Sequence, residues 1–175
     1  LNRLINKEID IPRLEVVRDV FVFCSLTGLA FTDVQHLTPE HIMYDNIGGY
    51  WIRKPREKTN NMCNIPLLDM PRLIAEKYKG HPECIKKGVV LPVPSNQRMN
   101  SYLKELADIC GIKKNLSTHV ARHTFACVAI ANKVSMESIA KMLGHTDIRT
   151  TKIYARLLDR TVSEEMNVLR QKFCV

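Results

Sequence analysis

An imidazole and a guanidinium stand three positions apart at His119 and Arg122, in the run Leu116-Ser117-Thr118-His119-Val120-Ala121-Arg122-His123. Thr118 is a good N-cap, so the spacing predicts both groups on one face of the first turn of a helix over 118–132. The same helix end carries backbone N–H groups and the positive pole of the helix dipole. A planar guanidinium fork, an imidazole and that pole aimed at one spot describe a phosphate site. They equally describe a capped helix with two polar surface groups and His123 packed inside, and the run alone leaves both open.

A second run, Ile139-Ala140-Lys141-Met142-Leu143-Gly144-His145, ends a predicted helix over 135–143 with a glycine suited to a left-handed C-cap. His145 follows that glycine directly and is thereby held in a sharp turn. Tyr154 comes nine positions later, on a predicted helix over 148–158, where a lone tyrosine reads first as packing. A third cluster, Arg53, Lys54, Arg56 and Lys58, gathers four cations with only Glu57 among them. It is either a solvated turn or a surface for phosphate contacts, which position a protein without reading sequence.

The elements that must hold these groups follow from periodicity. Leu14, Val17, Phe21 and Cys24 recur at helical spacing while Val16, Val20 and Phe23 fill a second face, predicting a buried central helix. A short helix is expected to start near Thr32 or Asp33, and Thr38-Pro39-Glu40 marks another turn or helix start. Between 42 and 67 the period becomes two, in three runs separated by Asp45-Asn46, Gly48-Gly49 and Asn60-Asn61, predicting a small antiparallel sheet whose third strand is an edge or stops at Pro66. Trp51 reads as core packing. Helical patterns return over 69–79, 96–110 and the later segments, ending at 161–174, where Val162, Met166, Leu169 and Phe173 share a face. The fold class is therefore α+β, mainly α-helical, with one small three-stranded antiparallel sheet.

The chain has 175 residues, 45% of them hydrophobic, with 26 Lys plus Arg against 18 Asp plus Glu. A chain of this length buries roughly 70% of the surface its unfolded form exposes, so it needs neither disulfides nor structural metal. The net charge of +8 favours a polyanionic partner through counterion release. The uncharged stretch over 20–32 falls short of the ~20 apolar residues that span a bilayer. Six single cysteines, at 24, 63, 84, 110, 127 and 174, suggest free thiols in a reducing compartment. No secretory leader opens the chain, so the expected location is cytoplasmic. Residues 1–13, polar and mixed, read as a linker from something upstream.

The order His119-x-x-Arg122-His123, then Leu143-Gly144-His145, then Tyr154 resembles the catalytic domain of tyrosine recombinases, also called phage-type integrases. The likeness covers nearly the whole chain and includes Phe23-Cys24-Ser25-Leu26-Thr27-Gly28-Leu29 as the family's first box and a hairpin bearing Lys58-Thr59. The form of that box and Arg56-x-Lys58-Thr59 look most like integrases of Bacteroidetes-type conjugative transposons. The resemblance implies a bacterial, nucleoid-associated recombinase that cleaves and rejoins duplex DNA through a covalent 3'-phosphotyrosine, without metal or other cofactor. Tyr154 would be the nucleophile, His119 its base, Arg122 and His145 donors to the nonbridging oxygens, and Lys58 the acid for the leaving 5'-oxygen. Arg53 and Lys54 would contact the DNA backbone. It also implies an upstream DNA-binding domain before a catalytic domain over 14–175, and a synaptic homo-tetramer on DNA; the isolated chain's state is open. The helix over 161–174 would dock on its own domain or on a neighbour.

One position departs from the family pattern. Where the box continues into a phosphate-gripping arginine, this chain has Ala30. By analogy with a lost oxyanion donor, that absence costs roughly 10²–10³ in rate unless another cation replaces it. Arg56 is the candidate replacement, with Arg53 behind it, and members of the transposon subgroup share the lack. Other readings compete, the weakest being a metallo-enzyme built on His119, His123 and His145, since no carboxylate or cysteine accompanies them at zinc-like spacing. Helices over 135–143 and 148–158 also form a helix-turn-helix, the signature of a DNA-binding module without chemistry or of a decayed recombinase; a type IB topoisomerase would share the nucleophile and cations.

Overall fold

The computed structural model describes residues 1–46, 49–145 and 166. In chain order the elements are α1 (Asn2–Ile5), α2 (Pro12–Thr27), α3 (Phe31–Gln35), a 3-10 turn (Pro39–His41), β1 (Ile42–Asp45), β2 (Gly49–Pro55), β3 (Met62–Pro66), α4 (Asp69–Lys77), α5 (Pro82–Lys87), α6 (Asn96–Ile109), α7 (Thr118–Ala131) and α8 (Met136–Met142). The helices expected over 148–158 and 161–174, and Tyr154 with them, lie outside the described residues.

Helix α2 is central because apolar residues cover it on all sides. Leu14, Val17, Val20, Phe21, Val22, Phe23 and Cys24 are all buried, and α1, α4, α6 and α7 pack around it. Pro12 opens it at the first helical position, where a missing N–H costs nothing. It ends at Gly28, whose φ of +72° closes the last turn. That position needs glycine twice over: a Cβ there would lie 2.5 Å from Cδ1 of Phe125 and 2.9 Å from Cδ2 of Leu143. A smaller core of Phe125, Ala126, Ala129, Ile130, Ile139 and Leu143 joins α7 to α8.

The sheet has the order β1-β2-β3, antiparallel throughout. Ile42 pairs with Ile52, and Ile52 with Ile65, so one face carries Ile52, Lys54, Cys63 and Ile65 inward. Strand β3 is an edge and ends at Pro66, as its proline requires.

Some local expectations shift. Ser117, not Thr118, caps α7: its extended backbone lets Oγ accept from the Val120 N–H at 3.4 Å, while the Thr118 N–H donates to Oδ1 of Asn100 at 3.1 Å. The opening segment, expected to be a linker, holds α1, and its Leu4 is only 2% exposed in the main core. Helix α5 was also unexpected; it is one and a half turns long, too short for an apolar period, although Pro82 and Gly88 bracket it as start and stop.

Candidate active site

Arg122 emerges from the start of the second turn of α7 and is buried, with 8% exposure. One terminal nitrogen, Nη1, donates to the carbonyl of Gly28 at 2.5 Å; the other, Nη2, donates to that of Leu143 at 2.6 Å. These carbonyls belong to the C-caps of α2 and α8. Helix C-termini carry partial negative charge and carbonyls without intrahelical partners, so they are suited to accept a buried cation. The guanidinium therefore joins three helices at one point.

The Leu143-Gly144-His145 turn brings an imidazole to the same point. Gly144 adopts φ +62° and the His145 N–H bonds back to the Ala140 carbonyl at 2.9 Å, fixing the turn as expected from the sequence. Nε2 of His145 lies 3.3 Å from Nη2 of Arg122. Burial first, then the charges of Arg122 and Arg56, push the His145 pKa from 6.5 down to about 4. The ring is thus neutral near pH 7. Because a guanidinium can only donate, Nε2 must accept in that contact and the ring proton sits on Nδ1.

Arg56 belongs to this group. It leaves the end of β2 and lies against Gly144, where a Cβ would meet its Cδ at 2.7 Å and Sγ of Cys63 at 2.9 Å. Its Nε is 3.7 Å from Oδ2 of Asp33, too long for a hydrogen bond, and both atoms are buried with no hydrogen-bond partner among the described residues. Asp33 was not anticipated as part of any site. It is 1% exposed in α3, and its Oδ1 accepts the Glu57 N–H at 2.9 Å, holding the hairpin that carries Arg56 and Lys58. The one signal for it was a carboxylate closing an otherwise uncharged stretch. Asn61 was missed too: its Nδ2 donates to the Gly144 carbonyl at 3.3 Å, tying the far side of the hairpin to the His145 turn. A cleft of about 400 Å³ opens there, lined by Asn61, Met62, Glu137, Lys141 and His145 among others. Cys24 and Cys63 lie close enough to feel the charges of Arg122 and Asp33; burial pushes their thiols up to about 12 and about 11, so they stay protonated.

The remaining expected residues are distributed around this centre. Lys58 is exposed in the hairpin turn, where it is not ion-paired among the described residues. His119 is exposed on α7 and turns its Nε2 to Nε2 of His123 at 2.7 Å. Arg53 and Lys54, expected together on DNA backbone, are split to opposite faces by the strand's period of two. Arg53 is exposed and pairs with Asp45 at 3.1 Å, whereas Lys54 is 4% exposed and pairs with Glu57 at 2.7 Å. Lys54 is therefore an internal cation, not a surface one.

Comparison with known proteins gives a consistent result. The model of the phage integrase family matches residues 2–161. A tyrosine recombinase of Pseudothermotoga lettingae is 34% identical over 64 residues, covering 37% of this chain and 22% of that protein. Among solved structures, the XerH site-specific recombinase bound to palindromic difH substrate, in a post-cleavage complex, superposes with a TM-score of 0.73 at 15% identity over 97% of this chain and 50% of that one. The XerA recombinase gives 0.68 at 20% identity, over 94% and 60%. The chain thus spans about half the length of the recombinases it superposes on, and its alignment to the curated relative covers about a fifth of that protein.

Proposed function

The chain belongs to the phage integrase family, and from that premise we propose that it is the catalytic portion of a site-specific DNA recombinase that forms a covalent 3'-phosphotyrosine through Tyr154. The observation that carries this reading is the meeting of Arg122, His145 and Arg56 around the Gly144 turn. Three nitrogen-rich side chains held on the ends of rigid helices and a hairpin form a cradle suited to a phosphate whose charge redistributes in the transition state.

In this reading the Tyr154 oxygen attacks phosphorus as its proton passes to His119, and the bond to the 5'-oxygen breaks as Lys58 protonates it. Reaching a phenolate near pH 7 costs roughly 4 kcal/mol from a pKa of about 10, which is why a base or local cations must assist. Arg122 supplies positive charge from within the cradle, where the Gly28 and Leu143 carbonyls hold it in place. His145, neutral and protonated on Nδ1, serves as a hydrogen-bond donor and not as a second full charge. Arg56 takes the part of the arginine missing at Ala30; its placement beside His145 supports that role. Lys58 rides on a hairpin anchored at both sides, by Asp33 and Asn61, with its amine exposed to reach the leaving group. Arg53 contacts DNA backbone; the burial of Lys54 withdraws it from that role.

The finer assignments, to a conjugative-transposon integrase, to a synaptic homo-tetramer on duplex DNA and to a partner domain upstream, rest on the sequence motifs. Incubating the chain with nicked duplexes spanning candidate junctions tests the chemistry. A denaturant-resistant protein–DNA adduct that disappears in Tyr154→Phe is the expected result; retained DNA binding with no adduct on any junction would leave a binding module instead. Lys58→Ala should recover cleavage on a duplex whose leaving oxygen is replaced by sulfur, which needs no acid.

A further inference from the structure

We propose that His119 and His123 form a binding site for a divalent transition-metal ion of the zinc, cobalt and nickel class, and that its occupation silences the candidate base. The blocking half of this proposal rests on the recombinase reading; the binding half does not.

The two imidazoles stand four residues apart on α7, a 14-residue helix, which puts them on one face one turn apart. Their Nε2 atoms are 2.7 Å apart and the rings meet edge to face, with centroids at 4.3 Å. Two ring nitrogens approach that closely only with a proton between them, so one ring carries Nε2–H and the other offers its lone pair. A metal ion can take the place of that proton. Bonds of ~2.0–2.1 Å at a tetrahedral angle need the nitrogens about 3.3 Å apart. The rings must therefore open by about 0.6 Å, a small rotation for the exposed His119. The displaced proton moves to Nδ1 of its own ring, so neutral imidazoles bind with no net proton release.

The donor set selects the ion class. Two imidazoles suit zinc, nickel and cobalt, whereas magnesium and calcium require oxygen ligands. Among the described residues no third His, Cys, Asp or Glu completes a metal group, so water fills the other positions. Lys114 and Arg122 act on His123 as positive neighbours and keep the affinity modest. The functional consequence follows from the atoms: a metal on the His119 Nε2 uses the lone pair that would accept the phenol proton.

The decisive experiment titrates the whole chain with Co²⁺, following its visible absorption, and with Zn²⁺, following the melting temperature, which rises when a ligand binds only the folded state. One site without a thiolate charge-transfer band is expected. Losing an outer-shell partner alone costs roughly 10–100-fold in metal affinity, so His119→Gln and His123→Gln should each lose at least that. His119 is exposed, so its variant remains informative if His123→Gln does not fold. Unchanged affinity in both variants, a thiolate band, or no binding would each overturn the site. On DNA, Zn²⁺ should suppress adduct formation and EDTA restore it. Binding without suppression would leave the site in place and remove His119 as base; an adduct that never forms would bear on the recombinase reading alone.

Discussion

At the scale of single residues, the site depends on a fork that lysine cannot imitate. Arg122 holds the carbonyls of Gly28 and Leu143 with two different nitrogens. Arg122→Lys keeps the charge but offers one compact ammonium, so at least one buried carbonyl loses its donor, at about 1–3 kcal/mol. The expected outcome is a lower melting temperature together with loss of the covalent adduct, with DNA affinity little changed because one phosphate contact among many affects binding only modestly. Equal losses of affinity and adduct would contradict the assignment. His145 sets a pH dependence. Its folded pKa of about 4 lies below the ordinary histidine value of 6.5, so between those values the unfolded chain binds more protons than the folded one. Its contribution to stability is complete above about pH 6.5 and is lost as pH falls toward 4. His123, lowered chiefly by burial, acts in the same direction. Thermal melts across that window should show the decline, and His145→Asn should flatten it; an unchanged slope in the variant would mean that other groups carry the effect.

At the scale of elements, two glycines place the catalytic turns, and they should tolerate substitution unequally. Both have positive φ, which costs a non-glycine residue roughly 1–2 kcal/mol. At Gly28 the added methyl would strike the Phe125 ring, packed in the core between α7 and α8, and overpacking adds about 1–3 kcal/mol. At Gly144 it would strike the Arg56 side chain, whose flexible methylenes can yield, although Cys63 is rigid. Gly28→Ala should therefore lower the melting temperature more than Gly144→Ala, whereas Gly144→Ala should displace Arg56 and reduce adduct formation out of proportion to its stability loss. The reverse ranking would show that the hairpin, not the core, is the stiffer neighbour. The same contrast explains what was legible in the sequence. Long periodic segments announced α2, α6, α7 and the sheet, and the cap glycines announced the turns, because local backbone chemistry dictates them. Asp33 and Asn61 were hidden because their roles arise from partners 24 and 83 residues away. Composition groups Lys54 with the surface cations, whereas alternation on a strand sends it and Arg53 to opposite faces.

At the scale of the whole molecule, charge organises what local packing does not. The chain carries +8, yet not all of its cations face outward: Lys54, 4% exposed, is committed to Glu57. Cations spent in this way do not release counterions from DNA, so the number of phosphates contacted must be smaller than the number of basic residues implies. Each phosphate neutralised on duplex DNA contributes about −0.9 to the slope of log affinity against log salt. Measured by salt titration of binding to a fixed duplex, Arg53→Ala should make that slope shallower by about one unit and weaken binding to all sequences alike. Lys54→Met, replacing a buried cation with an apolar chain of similar length, should leave the slope unchanged and alter only stability. If Lys54→Met reduces the slope as Arg53→Ala does, the Lys54–Glu57 pair opens on DNA, and the hairpin then meets the duplex with its inner face.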